Sequence, residues 1–223
     1  MGAHEGRPAT EIIERGARVL RDEAAVLDQV AASLGVTFGN AVNLLLGCTG
    51  KVVWSGIGKS GRIAEKIAAS MSSLGLPAVV MHSTEALHGD IGLVQPNDVA
   101  FLVSNSGTTR EVLDVIPTLR AMGVPIVSLS RSAESPLARA SDVAIVVSAE
   151  READMRNLAP TSSTTAVLAL GDALAIVVSE LKGFTAADYG RRHPAGALGK
   201  QAAADAAMLG NADKPARESQ DDR

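Results

Sequence analysis

The apolar positions of this chain change their period partway along. Between residues 10 and 34, Ile12, Ile13, Val19, Leu20, Val26, Leu27, Val30 and Leu34 recur mostly in i, i+1, i+7, i+8 pairs, which predicts one helix with a single apolar stripe. A second helix is expected over 37–46, ending at Gly47. Beyond it, short apolar runs at 51–54, 77–81, 98–103, 125–129 and 142–147 read as strands, and helical patterns at 60–74, 109–122 and 163–181 fall between or after them. Such alternation predicts an α/β fold. The expected architecture is a doubly wound, flavodoxin-like parallel sheet of five strands, with helices on both faces and an N-terminal helical pair.

Composition agrees with this picture and narrows the partners. Hydrophobic residues make up 46% but aromatics only 2%, which suits strands buried on both faces and leaves no stacking platform for bases. The formal charge is −4 and the basic residues are scattered, so neither nucleic acid nor an anionic membrane is an expected partner. Cys48 stands alone, which excludes an intrachain disulfide and a cysteine metal cage and fits a reducing compartment. The N-terminus has no apolar segment of signal-peptide type, and the apolar run 166–178 is interrupted by Gly171 and Asp172 and is short for a bilayer. A cytoplasmic protein is expected, with one domain over 1–200 and a polar, proline-broken, disordered tail over 201–223.

The candidate chemistry lies where strands end. The run Val99-Ala-Phe-Leu-Val103 passes directly into Ser104-Asn-Ser-Gly-Thr-Thr109, and a helix pattern follows. A helix start carries unpaired N–H groups and a positive dipole end, and Ser104, Ser106, Thr108 and Thr109 add neutral donors. That combination predicts a seat for a phosphate ester. The first strand runs into Ser55-Gly-Ile-Gly-Lys-Ser-Gly61, where a Walker A loop would need glycine at position 53 and Val53 stands instead. Gly56, Gly58 and Gly61 satisfy G-x-G-x-x-G, yet His82 and Ser83 occupy the place where a dinucleotide site wants an acid. The remaining reading is a tight turn that aims Lys59 over the carboxyl edge of the sheet, facing the Ser104 loop across the switch point.

A third polar loop follows the last strand, with Glu150, Glu152 and Asp154 at its start and hydroxyls over 161–165 at its end. A carboxylate at this edge is placed to abstract a proton α to a sugar carbonyl. His82, His88 and Asp90 lack structural zinc spacing, so surface or hydrogen-bonding histidines are the first reading. His193, beside Arg191 and Arg192, is not placed by pattern alone.

Taken together, Gly56-Ile-Gly-Lys-Ser-Gly61, His88-Gly-Asp90, Ser104-Asn-Ser-Gly-Thr-Thr-Arg-Glu111, Leu158-Ala-Pro-Thr-Ser-Ser-Thr-Thr165 and His193-Pro-Ala-Gly-Ala-Leu-Gly199 form one ordered set. In this set the chain resembles the sugar isomerase (SIS) domain of D-arabinose 5-phosphate isomerases, over about residues 10–200. The resemblance implies interconversion of D-ribulose 5-phosphate and D-arabinose 5-phosphate through an enediol. It also implies a place in the synthesis of the lipopolysaccharide sugar Kdo, no cofactor or metal, and a homotetramer with active sites near subunit interfaces. It further implies phosphate or substrate binding by Ser55, Gly56, His88, Ser104, Asn105, Ser106, Thr109, Ser162 and Ser163, and chemistry by Lys59, Glu111, Glu152 and His193. In that scheme Glu152 or His193 shuttles the proton, Lys59 steadies the oxyanion and Glu111 assists at the sugar oxygens. Three positions depart from the family pattern: Thr108 replaces a common glutamate, and Ala195 and Ala197 replace residues that are often glycine and serine. Larger members continue into paired CBS modules, for which residues 201–223 leave no room. Other readings are an isomerase of a different phosphosugar and a non-catalytic phosphosugar sensor.

Overall fold

A computed structural model describes residues 7–197, 199, 201 and 202, so the expectation for the tail lies almost wholly outside the described residues. The chain opens with α1 (Ala9–Ser33) and α2 (Val36–Gly47), which meet at an 81° bend. The alternating part follows: β1 (Val52–Gly56), α3 (Gly58–Ser73), β2 (Ala78–His82), α4 (Ser83–Ala86), β3 (Val99–Val103), α5 (Arg110–Asp114), α6 (Ile116–Ala121), β4 (Ile126–Ser130), α7 (Pro136–Arg139), β5 (Val143–Val146), α8 (Ser162–Leu181) and α9 (Ala186–Arg192). All strands are parallel in the order β2-β1-β3-β4-β5, as expected for a doubly wound sheet. The direction of winding reverses between β1 and β3, so the loops leaving their carboxyl ends flank one crevice.

Strand alternation sorts the core into two layers. Val52 and Trp54 of β1, with Phe101, Val103, Val127 and Leu129, face the helices α1, α2, α3 and α8. Val53, Ala100, Leu102 and Ile126 face the other side with Val112, Val115, Ile116 and Leu119. Trp54 stacks on Phe101 across the β1–β3 pair with ring centroids 4.5 Å apart, and its indole N–H donates to the Met71 sulfur at 3.3 Å. At the amino edge, buried Asp98 accepts from the backbone of Lys51 and of Gln95, both at 2.8 Å, and pairs with the Lys51 ammonium at 2.6 Å. Carboxylates therefore stitch the amino edge, whereas hydroxyl loops occupy the other one.

The structure corrects three expectations. The helix pattern 109–122 is two short helices, because Pro117 lacks the N–H that would continue α5, and the chain breaks at Val115. Helix α8 has 20 residues, which by length and composition is enough to cross a bilayer, so shortness does not argue against a span. What accounts for its apolar stripe is packing: Ala166, Leu170, Leu174 and Val178 are buried in the core shared with α1, α2 and α3. Gly171 lets α8 approach α3, since a Cβ there would overlap the Ile67 side chain. Finally α9, whose Thr185 and Asp188 form a capping box, is a helix that the apolar periodicity did not reveal.

Candidate functional site

The loop after β3 is built to leave donors free. Gly107 sits at φ 65°, the left-handed region, and a side chain there would overlap Ser135, so glycine is required on both counts. This turn brings the Ser104 and Thr109 hydroxyls within 2.7 Å of each other, and the Gly107 N–H donates to Ser104 Oγ at 3.1 Å. Ser106 Oγ accepts from Thr108 Oγ1 at 2.9 Å and from the Thr108 N–H at 3.2 Å, which leaves its own proton free to donate outward. Thr109 stands at the N-cap of α5 but makes no side-chain capping bond. The hydroxyls are thus not spent on capping, and the backbone N–H groups of Asn105, Ser106 and Thr109 have no protein partner among the described residues. Because α5 has only five residues, its dipole adds less than a full helix would, and anion affinity rests on the loop donors.

Opposite this loop, β1 ends and α3 begins in a turn so tight that a Cβ at Gly56 would lie 3.1 Å from the Val103 carbonyl, and one at Gly61 would lie 3.0 Å from the Gly56 carbonyl. The glycines serve backbone packing, which explains the G-x-G-x-x-G spacing without a dinucleotide. Lys59, in the first turn of α3, is exposed, and among the described residues it has no carboxylate within ion-pair distance. A cavity of about 180 Å³ joins it to the other two loops. Its walls are Lys59, Ser60 and Ile63 of α3, Val103 and Asn105 after β3, and Pro160, Ser163, Thr164 and Val167 at the start of α8. A larger groove of about 620 Å³ lies between the α1–α2 elbow and β5, where Glu150 is the one charged residue among the described residues lining it, an unsuitable host for phosphate.

Several expected residues lie elsewhere. Ser55 is fully buried and shares a hydrogen bond with Ser83 at 2.9 Å, and Gly56 is buried against Val103, so both shape the turn and offer nothing to a ligand in this arrangement. Ser162 is buried with no partner for its hydroxyl among the described residues. His88 is exposed on the turn after α4, at the carboxyl rim beyond β2. Glu111 is half-buried in the first turn of α5.

Two placements bear directly on the chemistry. Glu152 does not line the cavity. Its Oε2 accepts from the Thr161 N–H at 2.8 Å, the Ser163 N–H at 3.1 Å and Thr161 Oγ1 at 3.2 Å, while its Oε1 accepts from Ser163 Oγ. Burial pushes this carboxyl pKa up, but the hydrogen bonds from Ser163 and Thr161 outweigh it and hold the value below the ordinary 4.5. His193 lies at the opposite edge of the sheet. Its ring stacks on Tyr189 and reaches Ser73 Oγ at 3.3 Å, at the far end of α3, about 20 Å from Lys59 by the rise of the helix. Within one chain it is absent from the crevice. Of the wall residues, sequence reasoning does not single out Ser60, Ile63, Pro160, Thr164 and Val167, although Ser60, Pro160 and Thr164 all stand in the motifs already quoted.

A doubly wound parallel sheet, with an uncharged loop of open donors and a lysine without an ion pair among the described residues at its switch point, places the chain among α/β domains whose ligand crevice lies at the carboxyl edge. Comparison with known proteins makes this specific: residues 45–177 match the SIS domain model, and the chain belongs to that family. It is 44% identical over 191 residues to arabinose 5-phosphate isomerase KdsD of Pseudomonas aeruginosa, covering 86% of this chain and 59% of that protein. It is 43% identical over 188 residues to arabinose 5-phosphate isomerase GutQ of Salmonella typhi, covering 84% and 59%. The chain thus spans about three fifths of the length of these curated relatives. A solved structure from E. coli CFT073, in complex with arabinose 5-phosphate, superposes with a TM-score of 0.82 at 43% identity over 84% of this chain and 100% of that one.

Proposed function

We propose that the protein interconverts D-ribulose 5-phosphate and D-arabinose 5-phosphate. The observation that carries this reading is one cavity at the switch point lined by Asn105 of the uncharged loop, by Lys59, which has no ion pair among the described residues, and by the first turn of α8. The named activity of the relatives and the ligand of the E. coli structure support the same substrate pair.

In the proposed reaction the phosphate rests on Ser104, Ser106, Thr109 and the free N–H groups of their loop. A base removes a proton from C1 of the ketose, and electron density moves through C1–C2 onto the carbonyl oxygen at C2. The Lys59 ammonium steadies that oxyanion, and pre-placed positive groups of this kind act most strongly where charge develops. Return of the proton to C2, with transfer of the hydroxyl proton from O1 to O2, completes the aldose. Glu111, in the first turn of α5, assists at the sugar oxygens. The C1/C2 shuttle falls to His193, and because its own crevice is out of reach, a second copy supplies it within a homotetramer. On the same reading the enzyme is cytoplasmic and feeds Kdo synthesis.

The test is direct. Protein incubated with ribulose 5-phosphate yields arabinose 5-phosphate, and no product overturns the assignment; binding without turnover indicates a phosphosugar sensor instead. Mixing inactive His193→Ala and Lys59→Met variants restores part of the activity by forming hybrid sites. Failure of mixing to restore any activity overturns the shared-site arrangement.

A further inference from the structure

We infer that Glu152 is a positioning residue that acts through α8, and that it is not the base that moves the substrate proton. This inference rests on the proposed isomerase reading for its kinetic arm alone.

A carboxylate offers about four acceptor directions on its two oxygens. Four donors engage it here, two backbone N–H groups and two hydroxyls of Thr161 and Ser163, three on Oε2 and one on Oε1. The need for such a partner is plain from the helix itself. Helix α8 has 20 residues, its N-cap Thr161 makes no side-chain capping bond, and its first turn would otherwise present orphan donors at a positive dipole end. Glu152 reaches back from the preceding loop and satisfies those of Thr161 and Ser163 with a negative charge, the sign that a helix start favours.

The loop in turn holds Glu152. Asn157, at φ 55°, takes up a left-handed conformation that lets its side-chain oxygen accept from the Glu152 N–H at 2.8 Å. The Ala153 N–H donates to Thr161 Oγ1 at 2.9 Å, so the backbone on both sides of the carboxylate-bearing residue is held in place. What faces the cavity from this side is Pro160, Ser163 and Thr164, the residues that this clamp fixes. Ser163 is the direct link, since its hydroxyl donates to Glu152 and its residue lines the wall. A carboxylate held by four donors, which lower its proton affinity, and set outside the cavity wall is poorly suited to accept a carbon-bound proton.

The decisive experiment pairs amide exchange with kinetics on Glu152→Gln and Glu152→Ala. Glutamine keeps one acceptor oxygen and an amide that can donate to Ser163 Oγ, so it preserves much of the clamp without the acidity. We expect the Thr161 and Ser163 amides to exchange slowly in the natural protein, faster in Glu152→Gln and fastest in Glu152→Ala. We expect kcat of Glu152→Gln within about fivefold of the natural protein, a larger effect on KM, and an unmoved acid limb of the pH profile, whereas loss of a general base costs about 10²- to 10⁴-fold in kcat. A drop in that range for Glu152→Gln, with KM and amide exchange unchanged, overturns the inference. If Glu152→Ala fails to fold, Glu152→Gln carries the same readouts. Should the natural protein not turn over ribulose 5-phosphate, the isomerase reading falls, while slow exchange at Thr161 and Ser163 that the substitutions accelerate still supports the clamp, and exchange they leave unmoved overturns it.

Discussion

Two polar loops leave the carboxyl edge of the sheet, one after β3 and one after β5, and they meet the same need in opposite ways. Each precedes a helix whose first N–H groups lack partners. After β5 the Glu152 carboxylate accepts from two of them, the Thr161 and Ser163 N–H groups, and sets a negative charge of the chain's own at that helix start. After β3 it supplies only hydroxyls, which bond one another and leave backbone N–H groups open. The lesson is that a helix start in this protein is a site only where the chain withholds its own charge. Lys59, between the two loops, then has open donors on one side and, on the other, a wall that includes Ser163, which Glu152 holds.

The contrast breaks most completely if charge is moved into the open loop. Ser106→Asp places a carboxylate where the phosphate is expected, and like charges about 4 Å apart at an effective dielectric of about 20 repel by about 4 kcal/mol. The expected outcome is a KM raised by about 10²- to 10³-fold, read in steady-state kinetics, with the melting temperature little changed because Ser106 is exposed. Lys59→Met tests the space between the loops: loss of one oxyanion-stabilising group costs about 10²- to 10³-fold in kcat. Its stability should match the natural protein, since Lys59 is exposed and without an ion pair among the described residues.

Smaller effects sharpen the comparison. Gly107→Ala forces a side chain onto Ser135 in a left-handed turn, and strain of this kind costs about 1–3 kcal/mol, visible as an earlier urea midpoint together with weaker phosphate inhibition. The closed loop predicts a pH effect of definite sign. Because the folded pKa of Glu152 is lowered from 4.5, its contribution to stability is present above that value and lost as pH falls through the folded one. The melting temperature of the natural protein should exceed that of Glu152→Gln at pH 7, and the gap should close below pH 4.5. Asp98, Asp142, Asp154 and Asp188 are lowered too, so the difference between the two proteins, not either curve alone, reports the clamp. Least of all, Thr108→Val removes the hydrogen bond that commits the Ser106 proton outward, a net loss of about 0.5–1.5 kcal/mol that appears as a several-fold rise in KM.

Much of this architecture was legible in the residues themselves. The five strands, their parallel order and the helical pair follow from period and alternation, which depend on backbone geometry that neighbouring residues share. The Ser104 loop was legible for the same reason, as hydroxyls at a strand-to-helix junction are a local pattern. The break at Val115 was also available, in Pro117, but the apolar spacing across it concealed the interruption.

Roles that depend on which distant segments meet were decided only by the folded chain. Glu152 reads as a free acid at the crevice until Thr161 and Ser163 turn back onto it, and Ser55 reads as a ligand until Ser83 covers it. His193 lies at the edge away from its own crevice because α3 carries its partner Ser73 a full helix length away from Lys59. Periodicity encodes the face a residue presents, but a hydrogen-bond partner or a cavity is a property of three-dimensional proximity, and nothing in local spacing specifies it.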